Sequence, residues 1–95
     1  MITHVVLIQP KADTTPAEME AILVQAKALQ DIIPELQDFQ IGKNLATYTQ
    51  GYSYGLIAHF ANETQLQAYA NHPAHQELVR ELLAHAQVIE FNLAQ

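Results

Sequence analysis

Apolar and polar positions change period several times along the chain, and each change marks an element. His4-Val5-Val6-Leu7-Ile8 is a continuous aliphatic run closed by Pro10, which predicts a strand beginning almost at the first residue. Thr15-Pro16-Ala17-Glu18 has the signature of a helix start: a threonine N-cap, proline in the first turn and a glutamate closing a capping box. Met19, Ile22, Leu23, Ala26, Leu29 and Ile33 follow at spacings of three and four, so one helical face is apolar until Pro34 ends it. Leu36 to Ile41 predicts a second strand that stops at Gly42-Lys43-Asn44, a strand-ending turn. Residues 45–53 predict a loop, and Tyr54 to Phe60 a third strand. Asn62 caps a short helix over 63–71, Pro73 opens a longer one, and Gln87 to Leu93 predicts a final strand.

The order β-α-β-β-α-β predicts one α+β domain over residues 1–95, a ferredoxin-like sandwich. The first strand is apolar on both faces, with Val6 and Ile8 on one and Val5 and Leu7 on the other. Helices cover only one face of such a sheet, and an uncovered apolar face marks an interface. A second copy packing sheet against sheet is the simplest cover, so a homodimer through the sheet faces is expected.

Composition narrows the function classes. The formal charge is −6, and the permanent cations are Lys11, Lys27, Lys43 and Arg80, too scattered to form a basic stripe. No nucleic-acid partner and no anionic membrane surface is expected from that balance. No stretch approaches the roughly 20 apolar residues of a membrane span, and the first residues do not resemble a signal peptide, so a cytoplasmic location is expected. The chain has no cysteine, which removes disulfides, thiolate metal sites and cysteine nucleophiles.

The segment Tyr69-Ala70-Asn71-His72-Pro73-Ala74-His75 concentrates the chemistry. Pro73 breaks one helix and starts the next, so His72 falls at the N-cap and His75 in the first turn. The positive end of the helix dipole disfavours a protonated His75, leaving a neutral imidazole able to accept a proton. The last helix presents Leu78, Val79, Leu82, Leu83 and Ala86 as its apolar stripe, and His75 shares it; Tyr69, three residues after Leu66, faces the same way. His4 has the strand parity of Val6 and Ile8, and Tyr54 opens the third strand. They add two polar groups to the candidate pocket where those faces look toward the helices and not toward the dimer partner, a choice alternation alone does not make. The competing expectation is that Tyr69 and His75 are only hydrogen-bonded core residues.

Other patterns lead away from cofactors. His72 and His75 have H-x-x-H spacing, and His4 or His59 would extend the set, but Pro73 splits the pair and no carboxylate completes it. No metal ligand is assigned. His85 lies about 80° from the apolar stripe, which places it at the surface. His59, of opposite parity to Phe60, is expected in the dimer interface. There is no phosphate loop, nucleophile elbow or dinucleotide fingerprint.

Together these residues resemble the stress-responsive A/B barrel family, the dimeric α-β barrel or Dabb proteins. The resemblance runs through His4-Val5-Val6, Ile32-Ile33-Pro34, Gly42-Lys43-Asn44, Tyr54, Phe60, Tyr69, His72-Pro73-Ala74-His75 and Phe91. It implies a ferredoxin-like fold and a dimer whose two sheets form a barrel. In the family's plant polyketide cyclases, a tyrosine and the second histidine of the H-P-A-H segment perform an aldol-type condensation; the matching positions are Tyr69 and His75. By that analogy His75 removes a proton next to a carbonyl, and Tyr69 holds His75 or donates to the developing oxyanion. His4, Tyr54 and His72 then contact substrate, and no cofactor is required. The chain departs from the cyclases in carrying Asn92 where they have an acidic residue, and in a first helix rich in alanine.

Three functional readings follow. The first is a homodimer that binds a small apolar or phenolic ligand and acts as a cofactor-free cyclase or isomerase. The second is a non-catalytic, stress-associated oligomeric protein, and the third a cofactor-free monooxygenase acting on an aromatic substrate.

Overall fold

A computed structural model describes residues 1–95. Its elements are β1 (Ile2–Pro10), α1 (Pro16–Ala28), β2 (Gln37–Lys43), β3 (Tyr54–Phe60), α2 (Glu63–Asn71), α3 (Pro73–His85) and β4 (Ala86–Ala94). A 3₁₀ turn, Leu29–Asp31, extends α1. The strands form one antiparallel sheet in the order β2-β3-β1-β4, a ferredoxin-like arrangement.

Local chemistry sets the helix ends. The Thr15 hydroxyl accepts from the Glu18 backbone N–H at 3.1 Å, while the Glu18 carboxylate accepts from the Thr15 N–H at 2.9 Å. This is the expected capping box, and it satisfies two N–H groups that an uncapped helix leaves orphaned. Asn62 caps α2 through its side-chain oxygen, at 2.9 Å from the Gln65 N–H. His72 serves two helices at once: its backbone closes α2, and its Nδ1 accepts from the Ala74 N–H at 3.1 Å to cap α3.

The helices cover one face of the sheet. Ile2, His4, Val6 and Ile8 of β1 and Tyr54, Leu56, Ala58 and Phe60 of β3 point into the core beneath them, as alternation requires. All six apolar residues assigned to the first helical face, Met19 through Ile33, are buried. The stripe on α3 is narrower than its spacing suggested. Leu78 is buried, Leu82 packs at the core margin, Leu83 is exposed, and Ala86 already belongs to β4.

The second strand runs two residues further than expected and contains a bulge. Gln37 opposes His59 and Gln40 opposes Ile57, so two residues on β2 face one on β3. Asp38 takes φ 49° there, which keeps Phe39 in the core. Asn44 ends the strand by donating its side-chain amide to the Tyr52 carbonyl at 2.9 Å, tying down the loop that follows.

The other face of the sheet has no cover in the monomer. Val5, Leu7, Ile57, Ile89, Phe91 and Leu93 lie on it, with Phe91 42% and Leu93 51% exposed. A groove of about 400 Å³ crosses this face where Gly42 and Gly55 oppose each other. His59 is also on this face, as parity predicted. Its Nδ1 is buried without a hydrogen-bond partner, 3.9 Å from the Asp38 carboxylate.

Candidate active site

At one end of the core, β1, β3, α2 and α3 converge on four rings. Tyr69 and His75 stack with centroids 4.2 Å apart and planes tilted by 52°. His4 meets Tyr69 edge-on at 5.8 Å, and Phe60 packs against both. His4 is 3% exposed and Tyr69 2%, so this cluster of polar rings is built into the core.

Hydrogen bonding sets the proton positions. His75 Nδ1 lies 3.1 Å from the Ala70 carbonyl oxygen. A carbonyl only accepts, so Nδ1 carries the hydrogen and Nε2 of the neutral ring holds the lone pair. His75 stays neutral because burial holds its pKa below 6.5. The Ala70 bond and Glu90 oppose that shift, while His4 and His72 add to it. Desolvation is thus the leading cause. Burial likewise pushes the Tyr69 phenol well above its ordinary value, with Glu90 adding to the effect. Tyr69 is therefore a hydrogen-bond donor at neutral pH and not a phenolate.

His59 Nδ1 is the one buried side-chain nitrogen or oxygen without a partner. The Tyr69 hydroxyl and His75 Nε2 also make no hydrogen bond within the chain. An imidazole lone pair and a hydroxyl donor are thus left without an internal partner.

The final strand completes the site from the other side. His4 and Asn92 are register partners, and His4 Nδ1 donates to the Asn92 side-chain oxygen at 2.7 Å. Glu90, two residues earlier, opposes Val6 and so occupies the same side of the sheet. A cleft of about 280 Å³ opens beside Asn92, between α2 and β4, lined by Ile2, Glu63, Leu66, Gln67, Asn92 and Ala94.

Of the sequence candidates, the fold brings together His4, Tyr69 and His75. His72 borders them, but its Nδ1 is spent on capping α3. Tyr54 faces the same core from the far end of the sheet. It opposes Ile8, four residues and about 13 Å along β1 from His4. Asn92 and Glu90 were not singled out from the sequence as members of the site. Their signal was the alternation Ile89-Glu90-Phe91-Asn92-Leu93, which puts both polar residues on one side of the strand. Reading it required knowing which side faces the helices.

Similar solved structures carry this fold. A dimeric ferredoxin-like protein of unknown function from Thermobifida fusca has 23% identity and a TM-score of 0.87, covering 99% of this chain and 90% of that one. A hydroxynitrile lyase from Passiflora edulis has 18% identity and a TM-score of 0.89, covering 97% and 90%. A cofactor-independent oxygenase from Streptomyces nogalater has 16% identity and a TM-score of 0.79, covering 99% and 91%. No curated protein matches the sequence. The model of the Stress Responsive A/B Barrel Domain matches residues 2–93, nearly the whole chain, and the protein therefore belongs to that family, Dabb.

Proposed function

We propose that this protein binds a small apolar or phenolic carbonyl compound between its sheet and helices and catalyses a cofactor-free proton transfer, as in a cyclisation or isomerisation. The unpaired Nε2 of a neutral, desolvated His75 carries this reading. His75 takes a proton from carbon next to the carbonyl, and the Tyr69 hydroxyl donates to the oxygen on which charge develops. The Ala70 carbonyl stabilises the imidazolium that forms, because it accepts from the opposite nitrogen. His4, oriented by Asn92, positions the ligand. Two copies pack through the apolar sheet face, as the neighbour from Thermobifida fusca, described as dimeric, supports. The lyase and the oxygenase are consistent with this fold hosting more than one chemistry.

A second reading rests on how tightly Tyr69 is enclosed. At 2% exposure, and with the 280 Å³ cleft ending at Leu66 and Asn92, the rings also suit a purely structural role in a non-catalytic oligomer. Native and denaturing mass spectra of the purified protein separate the two. A dimer with a small organic mass that disappears on denaturation, and is missing from folded His75→Ala, supports the enzyme. An empty higher assembly, unchanged by His75→Ala, supports the structural role.

A further inference from the structure

The site has carboxylates beside it and no lysine or arginine to answer them. The nearest fixed cation is the N-terminal ammonium, which donates to the Gln95 carbonyl at 3.2 Å at the outer end of the adjoining cleft. Glu90 and Asn92 stand about 7 Å apart on the helix-facing side of β4, and Glu90 is the diagonal neighbour of His4 across the β1–β4 ladder. Glu90 makes no ion pair or hydrogen bond within the chain. Glu63, the one charged residue lining the adjoining cleft, is likewise unpaired.

The four permanent cations are committed or placed elsewhere. Lys11 donates to the Leu83 and Ala84 carbonyls at the end of α3, and Arg80 pairs with Glu77. Lys43 opposes Tyr54 at the far end of the sheet, and Lys27 is exposed in the last turn of α1.

From this arrangement we infer that Glu90 is a specificity-determining residue: with Glu63 at the cleft, its carboxylate makes the site reject anionic ligands and accept neutral or cationic ones. The inference rests on the ligand site proposed above and names its substrate class. A ligand carboxylate or phosphate near His4 would face Glu90 with no lysine or arginine to compensate it, and the repulsion is strongest where protein displaces water. The same field reaches the reactive rings, since Glu90 favours the protonated forms of both Tyr69 and His75. An uncharged phenol or ketone meets no such barrier, and an ammonium group is attracted.

Three phenols of similar size test this: tyramine, 4-ethylphenol and 3-(4-hydroxyphenyl)propanoate, each titrated at neutral pH and low salt by ligand-observed NMR. The propanoate should bind about tenfold more weakly than the neutral phenol. Glu90→Gln, at an exposed position, should close most of that gap, and added salt should narrow it in the unmodified protein. Equal binding of the three, or a gap that Glu90→Gln leaves intact, overturns the assignment of Glu90 while the site stands. Failure of all three to bind, or binding untouched in folded His75→Ala, overturns the site itself and this inference with it.

Discussion

His75 donates from Nδ1 to the Ala70 carbonyl at 3.1 Å, a bond from the first turn of α3 back to the last turn of α2. That contact crosses the helix break at Pro73 and holds one ring nitrogen. It leaves the other unpaired, on a ring whose centroid lies 4.2 Å from that of Tyr69. The junction therefore orients the imidazole through a backbone carbonyl, without a further side chain.

His75 should titrate below 6.5, because its folded form is held neutral by burial. The unfolded chain binds the proton more readily, so between the folded and unfolded values stability rises with pH. The contribution is complete above 6.5 and is lost as pH falls through the folded value. Imidazole proton shifts followed by NMR give that value directly. Denaturant unfolding across the same range should show the slope, and His75→Ala should flatten it.

Tyr69 separates packing from chemistry. Its hydroxyl has no partner within the chain, so Tyr69→Phe should change stability by less than about 1 kcal/mol. Tyr69→Ala removes a fully buried ring and should cost about 3–5 kcal/mol. If the hydroxyl donates to a developing oxyanion, Tyr69→Phe should still lower turnover by about 100-fold. Thermal melts and rates measured on the same preparations check both halves.

The far end of α3 carries a different pH response. His85 Nδ1 faces the Glu81 carbonyl at 2.9 Å and Nε2 faces the Glu18 carboxylate at 3.2 Å, so only the doubly protonated ring satisfies both. The Glu81 bond first, and then the Glu18 charge, raise its pKa above 6.5. Its stabilising effect is full below 6.5 and disappears as pH rises through the folded value. Glu18→Gln keeps the capping geometry but removes the charge. The pH dependence of the melting temperature above 6.5 should shrink in that variant.

The apolar sheet face should be the dimer contact. Phe91 is 42% exposed on it in the monomer, so Phe91→Glu should leave the circular dichroism spectrum unchanged. In sedimentation velocity the variant should run as a 10.6 kDa monomer, and the unmodified protein at twice that mass. A variant that remains dimeric would place the contact elsewhere.

Much of the fold was legible because its signals are local. The Thr15–Glu18 capping box, the Asn62 cap and the Pro73 break each depend on residues within four positions. The aliphatic run of β1, apolar on both faces, likewise predicted one face beneath the helices and a second that needs another cover. What stayed hidden depends on register between distant strands. The bulge at Asp38 shifts the β2 pairing by one residue, and no local propensity announces it. Leu83 is exposed because the core ends at Leu82, a matter of which helices lie nearby and not of its own spacing.

The sequence by itself determined the element order, the helix caps, the placement of Tyr69 and His75 on inward helical faces and the shared strand face of His4, Val6 and Ile8, because helical and strand periodicity dictate side-chain direction. Only the tertiary structure decided which inward residues meet. Strand order set β4 beside β1 and so brought Asn92 to His4 across 88 residues of chain, with Glu90 next to it. The same sheet left Tyr54 at its opposite end. Periodicity gives each side chain a face, but position along and across that face is set by long-range hydrogen bonding and packing.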